Sequence, residues 1–249
     1  RKRRLEGELG LSEDWEKQFE HWLQEMRRWI EAVGINKDLV EQVEIGDKDR
    51  AFYSKRTIDF EFKYPFGQKE LYGLAYRGDY DLSQHQKVSG NNLEYKDPVT
   101  NEKFLPHVIE PSLGVDRTFL AVLLSCYSES DARSGKEDAV HEKEITLRLP
   151  KALAPIKVAI LPLSKKDELV KPAKEILQQL NKNWMCQYDE TQSIGKRYRR
   201  QDEIGTPYCV TVDFDTLKDN AVTVRDRDSM EQERIAIKEL VSYLTEKLK

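Results

Sequence analysis

Residues 110–117 read EPSLGVDR and stand directly ahead of the apolar run TFLAVLL. Arg117 sits where a helix should begin. A helix start already presents free backbone N–H groups and partial positive charge. An arginine added there makes an anion site suited to phosphate. Glu110 and the Ser112 hydroxyl, across the turn, could hold a small cation such as an ammonium, so one bend would take a phosphate and an amine together. The alternative is internal, with Arg117 neutralised by Glu110 or Asp116. A second group lies in KELYGLAYRGDYDL, where Glu70, Arg77, Asp79 and Asp81 crowd two strand ends. Gly73 and Ala75 share one face of that strand and leave it with little side chain. That face is either a floor cleared for a flat ligand or a close-packing surface. The carboxylates beside it suit Mg²⁺ through oxygen or water, or else form a solvated turn with a capping aspartate. A third group is SIGKRYRRQDE, where Lys196, Arg197, Arg199 and Arg200 interleave with Tyr198. Basic residues beside an aromatic suit single-stranded nucleic acid, by phosphate contact and base stacking. The competing reading is a charged helix face balanced by Asp202 and Glu203. His85 and His107 are isolated and show no metal-ligand spacing, and no GxGxxG, P-loop or nucleophile elbow occurs.

The elements that must carry these groups follow from periodicity. In residues 13–33, Trp15, Phe19, Trp22, Leu23, Met26, Trp29, Ile30 and Val33 step by three and four, which predicts an amphipathic helix with a core-facing aromatic stripe, capped by Ser12 and Gly34. TIDFEFKY alternates as a half-buried strand, PFG turns, and ELYGLAY returns. RGDYDLSQHQ turns toward a short helix, and VSGNNLEYKDPVTNEK reads as a polar excursion. FLPHVIE at 104–110 is expected as a strand, PSLG as a turn, and VDRTFLAVLLSCY as a buried helix. Residues 128–143 read as an exposed loop, and EITLRLP as a short strand. From residue 154 the style changes: APIKVAILPL is a buried-type strand, KKDELVKPAKEILQQL a helix, and NWMCQYD, CVTVDFD and AVTVRDRD are strands. MEQERIAIKELVSYLTEKL is expected as one closing amphipathic helix. Alternating strands and helices over the last hundred residues or so predict a separate small α/β domain. The boundary is expected near residue 150, giving parts 1–150 and 151–249.

A chain of 249 residues can bury a sizeable core. Lys plus Arg number 41 against 45 for Asp plus Glu, a net charge of −4, so overall charge neither favours nor excludes a nucleic-acid partner. Cys126, Cys186 and Cys209 are far apart and odd in number, which suggests neither a disulfide framework nor a zinc site; no metal site built by protein ligands alone is expected. A reducing, cytoplasmic setting is expected, without a signal peptide. No apolar run approaches the roughly 20 residues a membrane helix needs.

Taken together these stretches resemble the C-terminal part of a glycyl-tRNA synthetase of the dimeric α₂ type. EPSLGVDR resembles the third signature motif of class II synthetases in its glycine-specific form. FYSKRTIDFEFKYPFG with ELYGLAYRGDYDLSQHQ resembles the strand pair ahead of it. APIKVAILPL, SIGKRYRRQDEIGTPYCVTVDFDT and DNAVTVRDRDSMEQERI resemble the anticodon-binding domain. The resemblance implies a partial antiparallel-sheet class II core, α+β in character, followed by a small α/β anticodon-binding domain. It implies that Glu70, Leu71, Gly114, Val115, Asp116 and Arg117 contact ATP, with Arg117 catalytic on the γ-phosphate side. It implies that Glu110, Pro111, Ser112, Leu113 and Gly114 contact glycine, Glu110 and Ser112 reading its ammonium. The implied chemistry is glycyl-adenylate formation from glycine and ATP with Mg²⁺, then transfer to tRNA(Gly), in a homodimer. Lys196, Arg197, Arg199 and Arg200 are the candidates for touching the tRNA. The family's first and second motifs are absent from these residues, so the chain alone is expected to be inactive. The other reading is a non-catalytic, synthetase-like accessory subunit that binds nucleic acid.

Overall fold

The computed structural model describes residues 15–131 and 143–249; Ser12, the expected cap of the first helix, lies outside them. Contacts divide the chain into two compact units, Arg1–Ala121 and Val122–Lys249.

In the first unit, α1 (Trp15–Ala32) buries Phe19, Leu23, Met26 and Ile30 as its spacing predicts, but Trp22 and Trp29 of the expected core-facing aromatic stripe lie at the margin of that face and are exposed. The strands β1 (Val40–Glu44), β2 (Arg56–Tyr64), β3 (Gly67–Gly78) and β6 (Val108–Leu113) form one antiparallel sheet in the order β1-β2-β3-β6. Between β3 and β6 come α2 (Tyr80–Ser89) and a small hairpin of β4 (Tyr95–Lys96) with β5 (Lys103–Phe104). One sheet face is apolar: Ile58, Phe60, Phe62, Tyr64, Tyr72, Leu74 and Tyr76 are buried. Helix α1 lies against β3 and β6, and Trp15 stacks on Tyr76 with ring centroids 4.1 Å apart. The other face carries Thr57, Asp59, Glu61, Gly73 and Ala75.

A bulge interrupts this alternation. Phe60 pairs with Tyr72, but Glu61 pairs with Glu70, which leaves Leu71 without an opposite residue. One extra residue exchanges the faces beyond it. Leu71 and Tyr72 are therefore both buried, and Glu70 joins the polar face.

α3 (Val115–Cys126) runs across the division between the units. In the second unit, β7 (Tyr127–Asp131) and β8 (Lys143–Leu147) pair antiparallel. A five-stranded sheet follows in the order β10-β9-β11-β12-β13. Its strands are β9 (Val158–Pro162), β10 (Cys186–Tyr188), β11 (Tyr208–Val212), β12 (Ala221–Asp226) and β13 (Gln232–Ala236). The first three run parallel and the last two antiparallel. On one face, Val158, Ile160, Val210, Val222 and Val224 pack with Leu169 and Ile176 of α4 (Asp167–Leu180) and Leu240 and Leu244 of α7 (Leu240–Lys247). On the other, Ala159, Leu161 and Cys209 pack with Ile194 and Tyr198 of α5 (Ile194–Ile204). A single turn, α6 (Thr216–Asp219), links β11 to β12.

Several expectations change. Of the expected PSLG turn, residues 111–113 are instead the second half of β6, and only Gly114 separates that strand from α3. Pro111 is tolerated because β6 ends the sheet order, where a missing N–H costs no ladder bond. The first turns of α3 are open, with Val115 82% and Phe119 66% exposed, although its sequence reads as buried. Residues 128–131 and 143 belong to a hairpin rather than a loop. The polar excursion contains β4, while β5 takes Phe104 from the strand expected at 104–110, which begins only at Val108. The expected closing helix splits into β13, a short 3₁₀ turn (Ile237–Glu239) and α7, because residues 232–236 pair along β12.

Candidate functional site

Register brings the first two groups together. Across the β3–β6 ladder Gly73 faces Ser112 and Ala75 faces Glu110, so the two bare positions form the floor directly beside the hydroxyl and the carboxylate. A Cβ added at Gly73 would lie 3.5 Å from Glu70 Oε1 and 3.6 Å from Asp59 Oδ1. The floor is therefore ringed by Glu70, Asp59, Ser112 and Glu110. Burial, followed by the charges of Glu70 and Glu61, pushes the Asp59 carboxyl above its usual range.

Arg77 organises the far end. Its Nη1 donates to Glu110 Oε2 at 2.6 Å, while Nε and Nη2 donate to the two Asp81 oxygens at 2.6 and 2.7 Å. Its guanidinium also lies 4.0 Å from the Tyr53 ring centroid. The hydrogen bond from Arg77 holds the Asp81 carboxyl below its usual range. One cation against two carboxylates leaves one net negative charge, and Glu110 Oε1 accepts no hydrogen bond among the described residues. Glu110 is thus paired with Arg77 and not with Arg117, the partner its sequence position suggested.

Arg117 sits at the other end. Its guanidinium is exposed and donates to the backbone carbonyl of Glu70, with no carboxylate in ion-pair range among the described residues. Neither internal pairing, with Glu110 or with Asp116, is present. The bend is held from beneath: Trp29 Nε1 donates to the Tyr72 hydroxyl (3.2 Å), that hydroxyl meets Thr118 Oγ1 (2.9 Å), and Thr118 donates to the Gly114 carbonyl (2.6 Å). Leu71 is buried, Pro111 is opposite Leu74, and Leu113, Val115 and Asp116 are exposed. Asp79 accepts from Ser83 at 3.3 Å. Among the described residues no three His, Cys, Asp or Glu side chains gather as a metal site.

The basic helix α5 is less available than its sequence implies. Arg197 is 2% exposed; its guanidinium donates to the carbonyls of Pro162, Gln192 (3.0 Å) and Leu163 (3.5 Å). Arg199 donates to Glu144 at 2.9 Å, and Arg200 Nε to Asp189 at 3.1 Å; both are half-buried. Tyr198 bonds Thr211 (2.6 Å) and lies 4.9 Å from Arg225, which makes a buried two-pronged pair with Asp202. Lys196 alone of the four cations is exposed. None of the three cysteines forms a disulfide. Burial pushes the Cys186 thiol up to about 11 and that of Cys209 to about 12, and raises Cys126, so none is a ready nucleophile.

Residues 157–247, which hold the five-stranded sheet and its helices, match the anticodon binding domain family. Within the second unit, that stretch is therefore similar to an anticodon-binding domain. The whole chain is similar to glycine–tRNA ligases. It is 48% identical to that of Thermobifida fusca over 242 residues, covering 96% of this chain and 51% of that protein. It is 51% identical to that of Clostridium tetani over 230 residues (92% of this chain, 48% of that one). With that of Agathobacter rectalis identity is 50% over 240 residues (96% and 50%). The resemblance drawn from the motifs therefore holds along nearly all of the chain, which spans about half the length of the curated relatives it matches. No described helix is long and apolar enough to cross a membrane.

Proposed function

We propose that this chain contributes the glycine pocket, one wall of the ATP site and the anticodon-binding domain of a glycine–tRNA ligase, and that the ligase works as a homodimer in the cytoplasm. The domain reading keeps residues 1–150 as class II catalytic core, including EPSLGVDR, and 151–249 as the anticodon-binding part. The observation that carries it is the ladder pairing of Glu110 and Ser112 with Ala75 and Gly73, which leaves room for an amino acid without a side chain.

In this reading the glycine ammonium rests on the free oxygen of Glu110 and the Ser112 hydroxyl, above Gly73. Any side chain on the substrate would meet the floor or Ser112, so bulk excludes larger amino acids. The glycine carboxylate attacks the α-phosphorus of ATP, the bond to the β-phosphate breaks, and pyrophosphate departs. Arg117 and the first N–H groups of α3 offset the charge on those phosphates, and Glu70 and Leu71 line the nucleotide side. The 3′-terminal ribose hydroxyl of tRNA(Gly) then attacks the carbonyl carbon and AMP leaves. Catalysis of this kind needs positioning rather than a protein nucleophile, in keeping with the raised cysteine thiols. Mg²⁺ would enter on the triphosphate and would offset part of its charge there. In the second unit, Lys196 and the outer edges of Arg199 and Arg200 face the tRNA, and Arg197 holds their helix in place.

Arg117→Ala in the polypeptide of the complete reading frame should cut glycine-dependent ATP–pyrophosphate exchange by roughly 10²- to 10³-fold. An unchanged rate would refute the role of Arg117.

A further inference from the structure

The aromatic cluster at residues 52, 53 and 80 has no part in the reading above. Phe52 is 85% exposed. It meets Tyr53 and Tyr80 edge-on, at centroid distances of 5.2 and 5.6 Å and angles of 75° and 81°, and Tyr53 and Tyr80 lie 6.4 Å apart. No parallel ring covers it among the described residues, so a flat partner still has access. The cluster is tied to the glycine end of the site, because the Arg77 guanidinium that contacts the Tyr53 ring also holds Glu110.

The order along the sheet gives this position its meaning. Leu113 and Gly114 lead to Arg117 at one end of β6, while Glu110 lies toward the other, at the Arg77 side. With nucleotide at the Gly114–Arg117 end, the side left for a third reactant is the Arg77 side, where Tyr53 touches the guanidinium that holds Glu110. The reactant still to arrive is a ribose hydroxyl carrying a purine. A base stacked on an exposed ring holds that nucleotide without reading its sequence.

Resting on the ligase reading, we propose that Phe52, braced by Tyr53 and Tyr80, is the stacking platform for the 3′-terminal adenine of the acceptor strand during the transfer step. Phe52 is a positioning contact for tRNA and takes no part in adenylate formation.

The test is Phe52→Ala in the complete enzyme, with Phe52→Trp as the conservative variant. For Phe52→Ala, KM for tRNA should rise roughly 5- to 150-fold, while glycine-dependent pyrophosphate exchange, which needs no tRNA, stays at the wild-type rate. Phe52→Trp should restore KM. Binding to tRNA lacking its terminal adenosine should be equal for wild type and Phe52→Ala. The platform is overturned if KM for tRNA is unmoved, if tryptophan fails to rescue it, or if the shortened tRNA is weakened just as much. Absence of glycine-dependent exchange in the wild-type enzyme would instead refute the ligase reading itself.

Discussion

Arg197 offers a way to tell scaffold from proposed RNA contact within one basic helix. Replacing it with leucine removes a buried guanidinium that reaches the carbonyls of Pro162, Leu163 and Gln192. Each stranded carbonyl costs about 1–3 kcal/mol. Leucine recovers part of the lost volume and one carbonyl can turn toward water, so a total of about 2–5 kcal/mol is expected. With a urea slope of about 1–3 kcal/mol per molar, the unfolding midpoint of Arg197→Leu should fall by ~1 M or more, read by far-UV circular dichroism. The salt dependence of tRNA binding should not change, because a 2% exposed side chain displaces no counterions. In Lys196→Leu the pattern should invert: a steady midpoint, and a plot of log affinity against log salt flatter by roughly 0.7–0.9. An Arg197→Leu protein of wild-type stability with a flattened salt plot would refute the scaffold role and return Arg197 to the RNA surface.

Gly73→Ala should fold normally, since its methyl would meet Glu70 and Asp59 only at 3.5 and 3.6 Å. It should nonetheless lower glycine-dependent exchange in the complete enzyme by about tenfold or more, chiefly through KM for glycine, because the methyl stands on the floor. Asp59→Asn should stabilise the fold at pH 7. Burial and the neighbouring carboxylates raise the folded pKa of Asp59, so the folded state gains protons as pH drops and its ionised form at neutral pH is a burden. The advantage of asparagine should be full above the folded pKa, shrink through it, and vanish below the unfolded value of about 3.9. Urea midpoints across pH 3–8 measure this, and a constant gain would contradict the assignment.

The elements legible in the sequence were those with one buried face. The α1 stripe, the β2 alternation and the apolar β9 run each report a surface that must leave water, and the structure buries Phe19, Phe60 and Ile160 accordingly. The misread stretches are short or sit at edges. Residues 232–236 carry little apolar signal because β13 ends its sheet, so pairing with β12 rather than burial decides their state. Pro111 suggested a turn, but an edge strand tolerates it. At the site, the residue types EPSLGVDR and the bare Gly73/Ala75 face were visible, yet their apposition was not, since register is a long-range property. The adjacent apolar pair Leu71–Tyr72, inside an otherwise alternating strand, was the available sign of the bulge that brings Glu70 round. The capture of Glu110 by Arg77 and the interior placement of Arg197 left no such sign, because an arginine among polar neighbours looks alike in sequence whether it faces water or carbonyl oxygens.

The bonds from Trp29 through Tyr72 and Thr118 to Gly114 join pieces of chain that are far apart in sequence. The bend is thus a keystone, not a hinge: whatever tugs on Gly114 must also disturb an indole on the first helix.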